Sequence, residues 1–94
     1  MEKRSITVTT EFSLQFDPNS WEFKEAFESY KNVIDHNANV DDMLDYVCGF
    51  ISDAGLDTMI DGVGYVSYNG EYPFLYDEDL ISGIDITDII TEVE

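Results

Sequence analysis

The sequence predicts an α+β fold: an antiparallel sheet of about four strands, in the order β-α-α-β-β-β, with two helices packed on one face. Three observations carry this. Residues 5–16 alternate apolar and polar at a period of two. Residues 20–35 and 40–54 repeat apolar residues at three-to-four spacing. Asn69-Gly70 divides two further strand-like runs. Elements of these two kinds bury their apolar faces against each other as two layers. The 94 residues, 1–94, read as a single domain.

In the first strand Ile6, Val8, Thr10, Phe12, Leu14 and Phe16 fall on one face. Thr7, Thr9, Glu11, Ser13 and Gln15 fall on the other, the pattern of a half-buried strand. Asp17-Pro18-Asn19-Ser20 breaks it. Asp17 before Pro18 suits a helix N-cap, and Asn19 with Glu22 three later is the competing cap. In the first helix Phe23, Ala26, Phe27, Tyr30, Val33 and Ile34 form the inner stripe. Glu22 and Glu25 sit near its positive end and Lys31 near the other, as the helix dipole favours. Trp21 projects off the stripe, either packed beneath the preceding loop or presented to a partner.

The second helix follows the connector Asp35–Asn39. Its inner stripe is Met43, Leu44, Val47, Phe50, Ile51 and Ala54, with Asn39 as N-cap and Gly55 just past its end. Asp41, Asp42, Asp45 and Asp53 lie within roughly 120° of one another, opposite that stripe. Gly49 sits among them. Residues 63–76 read as a hairpin about Asn69-Gly70, placing Val63, Tyr65, Ser67, Tyr72, Phe74 and Tyr76 on one face. Pro73 lacks the N–H a ladder needs and calls for a bulge, a longer loop or an edge position. From Gly83 to Glu94 the apolar parity switches between Ile86 and Ile89. A bulge near Thr87-Asp88 makes this one strand, which the Ile, Thr and Val content favours. A short helix from Thr87 is the alternative.

The charge is the strongest functional signal. There are 21 Asp and Glu against four Lys and Arg, a net of −17. Residues 32–94 hold 15 acidic residues and no Lys or Arg. Ordinary surfaces mix both signs, so most of these carboxylates have no partner within the chain. Aromatics at 14% and hydrophobics at 44% set the sequence apart from acidic disordered tails. Direct binding to nucleic acid or to anionic membrane is disfavoured. No run approaches a membrane span, and alternation follows the N-terminus where a signal peptide has an apolar core. The expected location is the cytoplasm, and the single Cys48 fits a reducing compartment.

No enzyme chemistry emerges. One His, one Cys and seven Ser spell no nucleophile–base pair, and there is no phosphate-binding or dinucleotide loop. His36 reads as a surface loop residue and Cys48 as a small buried hydrophobe. Asp35–Asp41 resembles the start of an EF-hand loop. However, Val40 stands where the turn needs Gly, and Tyr46 where a bidentate Glu belongs. No metal and no cofactor is expected.

Three readings of the charge follow: halophilic adaptation, a generic acidic domain for a basic protein patch, and a nucleic-acid mimic. Halophile cores are thinned of large apolar residues, whereas this chain is rich in Ile, Phe and Tyr. Mimicry has a physical basis. Clefts for nucleic acid are lined by Lys and Arg arranged for regularly spaced phosphates. Carboxylates two apart on an extended strand, such as Asp77 and Asp79, lie about 6.8 Å apart, and i,i+4 pairs on a helix, such as Asp41 and Asp45, about 6 Å. Both are near two base-pair steps. The expected binding residues are Asp41, Asp42, Asp45 and Asp53, with Asp57 and Asp61 continuing from them. Asp77, Glu78 and Asp79 form a second group. Tyr46 and Tyr68 are candidate apolar anchors.

In size, charge and lack of catalytic motifs the chain resembles small acidic inhibitors of bacteriophages and mobile elements. These are the DNA-mimicking anti-restriction proteins, anti-CRISPR proteins and uracil-DNA glycosylase inhibitors. The residues carrying the likeness are the unpaired run from Asp35 to Glu94, notably the nine above with Asp85 and Asp88. It implies stoichiometric inhibition of a basic nucleic-acid-binding protein of a bacterial host cell, and a homodimer that lengthens the acidic track.

Overall fold

The computed structural model describes residues 2–73 and 76–93. The elements are β1 (Val8–Phe16), α1 (Trp21–Val33), α2 (Val40–Ala54), β2 (Tyr65–Tyr68), a 3-10 turn (Glu78–Leu80) and β3 (Ile81–Val93). They form one three-stranded sheet in the order β1-β3-β2. β1 runs antiparallel to β3, and β2 runs parallel to it. The α+β class and the two helices stand as expected. The sheet is corrected: three strands and mixed, not four and antiparallel.

The difference lies at the expected hairpin. Asn69-Gly70 does turn the chain, with positive φ at both residues (50° and 86°), as such a turn requires. The Tyr68 and Glu71 backbones exchange hydrogen bonds at 2.8 and 3.1 Å. Among the described residues pairing stops at that one bridge, and Pro73 has no N–H to continue the ladder. Phe74, placed above on the hairpin's inner face, lies outside the described residues. Tyr76 instead stacks on Tyr72, centroid to centroid 4.8 Å, and meets Tyr65 edge-on. β2 pairs with β3.

β3 is the central strand, and its bulge falls where the parity switch placed it. Ser13 pairs with Asp88 and Leu14 with Ile86, leaving Thr87 as the extra residue. The Thr87 hydroxyl donates to the Ser13 carbonyl at 3.1 Å. Ile84 and Ile86 on one side of the bulge, and Ile89 on the other, therefore all serve the core. The helical alternative for this segment is excluded.

Phe23, Ala26 and Tyr30 of α1 and Met43, Val47 and Ile51 of α2 bury their stripes in one core with Val66, Ile84 and Ile86. Phe16 stacks on Phe23 at 4.5 Å. The start of α1 presses against β3 at Gly83, where a Cβ would lie 3.1 Å from the Phe23 nitrogen. Buried Ser82 is satisfied, donating to the Tyr65 carbonyl and accepting from the Ile84 N–H.

Three local expectations change. The N-cap of α1 is Ser20, whose hydroxyl accepts from the Phe23 N–H. Asp17 and Asn19 do not cap it. Asp17 closes the turn over Pro18, accepting from the Asn19 and Ser20 N–H groups. Trp21 is not packed beneath a loop but is 60% exposed. The expected first strand also starts later, at Val8 and not at residue 5, and its outer end escapes burial: Phe12, Leu14 and Phe16 pack on the core, while Val8, and Ile6 before the strand, are 56% and 65% exposed. The β1–β3 ribbon runs on past the helices, in a molecule 54 Å long and 20 Å thick.

Candidate partner-binding surface

All nine expected binding residues are exposed: Asp41, Asp42, Asp45, Asp53, Asp57, Asp61, Asp77, Glu78 and Asp79. They do not form one continuous patch by sequence alone; the fold sorts them into groups. Asn39 caps α2 by accepting from the Asp42 N–H at 2.9 Å. Asp42 returns the bond by accepting from the Asn39 N–H at 3.0 Å. This capping box fixes the start of α2, so Asp42 has a structural task as well as a charge.

The first group gathers around Tyr30 and Tyr46, whose rings lie 5.2 Å apart. Burial first, then the charges of Asp35, Asp42 and Asp45, push the Tyr30 phenol above its ordinary value. Burial and then Asp61 do the same to Tyr46. The Tyr46 hydroxyl donates to the Asp61 carbonyl at 2.9 Å, tying the loop to α2. Asp61 thus joins the N-terminal end of the ridge. Asp53 lies 12 residues beyond Asp41, about 18 Å along the axis, with Asp57 following it. Nothing lies within 4 Å of where a Cβ on Gly49 would sit, so a partner can approach the helix there.

The second group sits on the 3-10 turn, so Asp77 and Asp79 are not two steps apart on an extended strand as expected. Asp77 caps it, accepting from the Asp79 N–H at 2.9 Å. Asp79 then lines a groove of about 760 Å³ together with Glu25, Glu28 and Lys24 of α1. Leu80, Ile81, Met59 and Val63 supply its apolar wall. Glu25, Glu28 and Asp35 belong to these clusters and are not among the nine binding residues expected from the sequence. Their spacing off the apolar stripe marks Glu25 and Glu28 as exposed. Their nearness to Asp79 depends on how the 3-10 turn packs, which no spacing encodes.

Two expectations need correction. Asp85 is not a free surface carboxylate. It accepts from the Ser67 hydroxyl at 2.8 Å, the Gly70 N–H at 2.9 Å and the Gln15 amide at 2.9 Å. Burial alone raises its pKa, but these three bonds outweigh it and hold the carboxyl below its ordinary value. Asp85 is a structural pin between β3 and the Asn69-Gly70 turn. Tyr46 is not a free anchor either, since it is half-buried with its hydroxyl engaged; Tyr68 is 41% exposed.

The described residues hold two ion pairs, Arg4–Glu2 and Lys31–Glu28, both within the first 31 positions. No carboxylate from residue 32 onward is ion-paired among them. Nor do three metal-ligating side chains converge among the described residues: the acids are spread along a surface. Cys48 is half-buried, and burial followed by Asp45 pushes its thiol up, away from reactivity. His36 is exposed in the connector, where Asp35 accepts from the Asn37 N–H and Asn39 turns to its cap. No helix among the described residues is long and apolar enough to cross a membrane.

Comparison with protein-family models, curated proteins and solved structures finds no match to this chain.

Proposed function

We propose that this protein is a non-enzymatic nucleic-acid mimic that occupies and inhibits the basic cleft of a DNA- or RNA-binding protein. One observation carries the reading: every acidic residue expected to bind is exposed on a folded scaffold, with no cation among the described residues paired to it. A fixed scaffold spares the ordering cost that an acidic tail incurs on binding. Self-repulsion in the free protein is relieved in a basic cleft, and long-range attraction speeds encounter at low salt. The ridge of α2, with Asp35 and Asp61 at one end and Asp53 and Asp57 at the other, is the main face. The group at Asp77–Asp79 is the second.

The test is displacement. Added to a basic target holding a labelled DNA or RNA duplex, the protein releases the duplex at stoichiometric concentration, and its affinity falls steeply with salt. A target that binds the protein and the duplex together, without competition, supports the generic acidic-domain reading instead.

A further inference from the structure

We propose that the free edge of β1 is a dimer interface, pairing antiparallel with β1 of a second copy across a two-fold axis. The inference stands independently of the mimicry reading.

The observations begin with the edge itself. β1 pairs with β3 on one side, and its other side has no strand partner among the described residues. It is nine residues long. Natural edges are usually blunted by Lys, Pro, bulges or shortness. The opposite edge, β2, is short at four residues. β1 has no Pro or Lys, its bulge residue lies on β3, and Glu11 is its single charge.

Charge then selects the occupant. Residues 1–16 contain Glu2, Glu11, Lys3 and Arg4, a net of zero. The remaining 78 residues contain 19 acids and two bases, so they carry the entire −17. The rest of the molecule, carrying the whole net charge, repels a second copy, and this segment adds no net repulsion.

Register supplies the complementarity. A two-fold centred on Thr10 places Val8 opposite Phe12 of the second copy and Ile6 opposite its Leu14. Glu11 then faces Thr9, so the two Glu11 side chains are not directly opposed but sit diagonally, about 7–8 Å apart. Lys3 falls opposite Asp17, giving one cross-copy ion pair at each end. Within one copy Val8 pairs with Val93 and Phe12 with Ile89. The dimer therefore aligns Ile89, Phe12, Val8 and Val93 in one row across four strands. That row gives neighbours to Val8 and Val93, now 56% and 67% exposed. The arm at residues 2–7 lies outside any strand in the single copy and joins the ladder in the pair.

Sedimentation equilibrium at physiological salt tests this. The parent is expected at twice the mass of one chain. Val8→Lys puts a cation into the apolar row and raises the dissociation constant about tenfold or more, while its thermal melt stays cooperative because Val8 is exposed in the monomer. Lys3→Glu weakens the dimer in the same direction. In a Cys48→Ser background, Thr10→Cys closes a disulfide across the axis on oxidation, since paired Cα atoms lie about 4.5–5.5 Å apart. Ser5→Cys does not. A parent that stays monomeric at several hundred micromolar, or a Thr10→Cys variant that never cross-links, overturns the proposal. Neither result bears on displacement of nucleic acid.

Discussion

At the scale of single residues, the acidic side chains divide into those that hold the fold and those free to bind. Asp85 belongs to the first kind, and its truncation tests the assignment. Asp85→Ala removes three hydrogen bonds and leaves buried Ser67 without its acceptor. The expected loss is about 1–3 kcal/mol in denaturant unfolding at pH 7. The pH dependence has a fixed sign. A carboxyl held below its ordinary value stabilises the fold above the unfolded value, about 3.9, and that stabilisation fades as pH falls through the folded value. The gap between parent and Asp85→Ala should therefore be full at neutral pH and shrink below about pH 4. Asp42 is intermediate. Asp42→Ala breaks the returned bond of the capping box and should cost about 0.3–1 kcal/mol, whereas Asp42→Asn keeps an acceptor and should cost less. Thermal melts of the two variants side by side check this.

At the scale of elements, periodicity carried far. Both helices, the first strand and the bulged final strand could be read because their apolar residues keep a period imposed by one buried face. The parity switch between Ile86 and Ile89 located Thr87 because a single extra residue is what flips a strand's faces. The expected hairpin shows where this reasoning stops. Asn69-Gly70 specifies a turn, but not how long its arms continue to pair; Pro73 and the competing edge of β3 decided that. Ser20 caps α1 in place of Asp17 or Asn19 because the turn over Pro18 brings its hydroxyl to the Phe23 N–H. Exposure of the nine acids was legible from their positions off the stripes. Their grouping was not, since it depends on Tyr46 reaching Asp61 and on the 3-10 turn placing Asp79 in the groove that Glu25 also lines. One position there tests the packing. Gly64 has φ +112°, and a Cβ on it would lie 2.2 Å from the Leu80 carbonyl oxygen. Gly64→Ala should lower stability by about 2 kcal/mol or more, while Gly49→Ala, on open helix surface, should raise it by up to about 1 kcal/mol.

At the scale of the whole molecule, a net charge of −17 sets the field in which everything else acts. The folded state confines that charge, so screening should favour it. Raising NaCl from about 10 to 150 mM shortens the Debye length from about 30 to 8 Å and should raise the melting temperature by several degrees. A cooperative melt in the dilute buffer sets this apart from halophilic adaptation, which requires molar salt to fold. Partner binding should respond oppositely, weakening over the same range. The most direct measurement of the central claim uses the ridge itself. The parent and an Asp41→Asn/Asp45→Asn/Asp53→Asn variant, which leaves the Asp42 cap intact, are immobilised and exposed to bacterial lysate at low salt. Bound protein is then eluted with duplex DNA or RNA. The account predicts that the parent releases a nucleic-acid-binding protein on elution with one of these and that the variant, melting as the parent does, retains several-fold less. Equal retention by the two, or a partner that nucleic acid cannot elute, would contradict it.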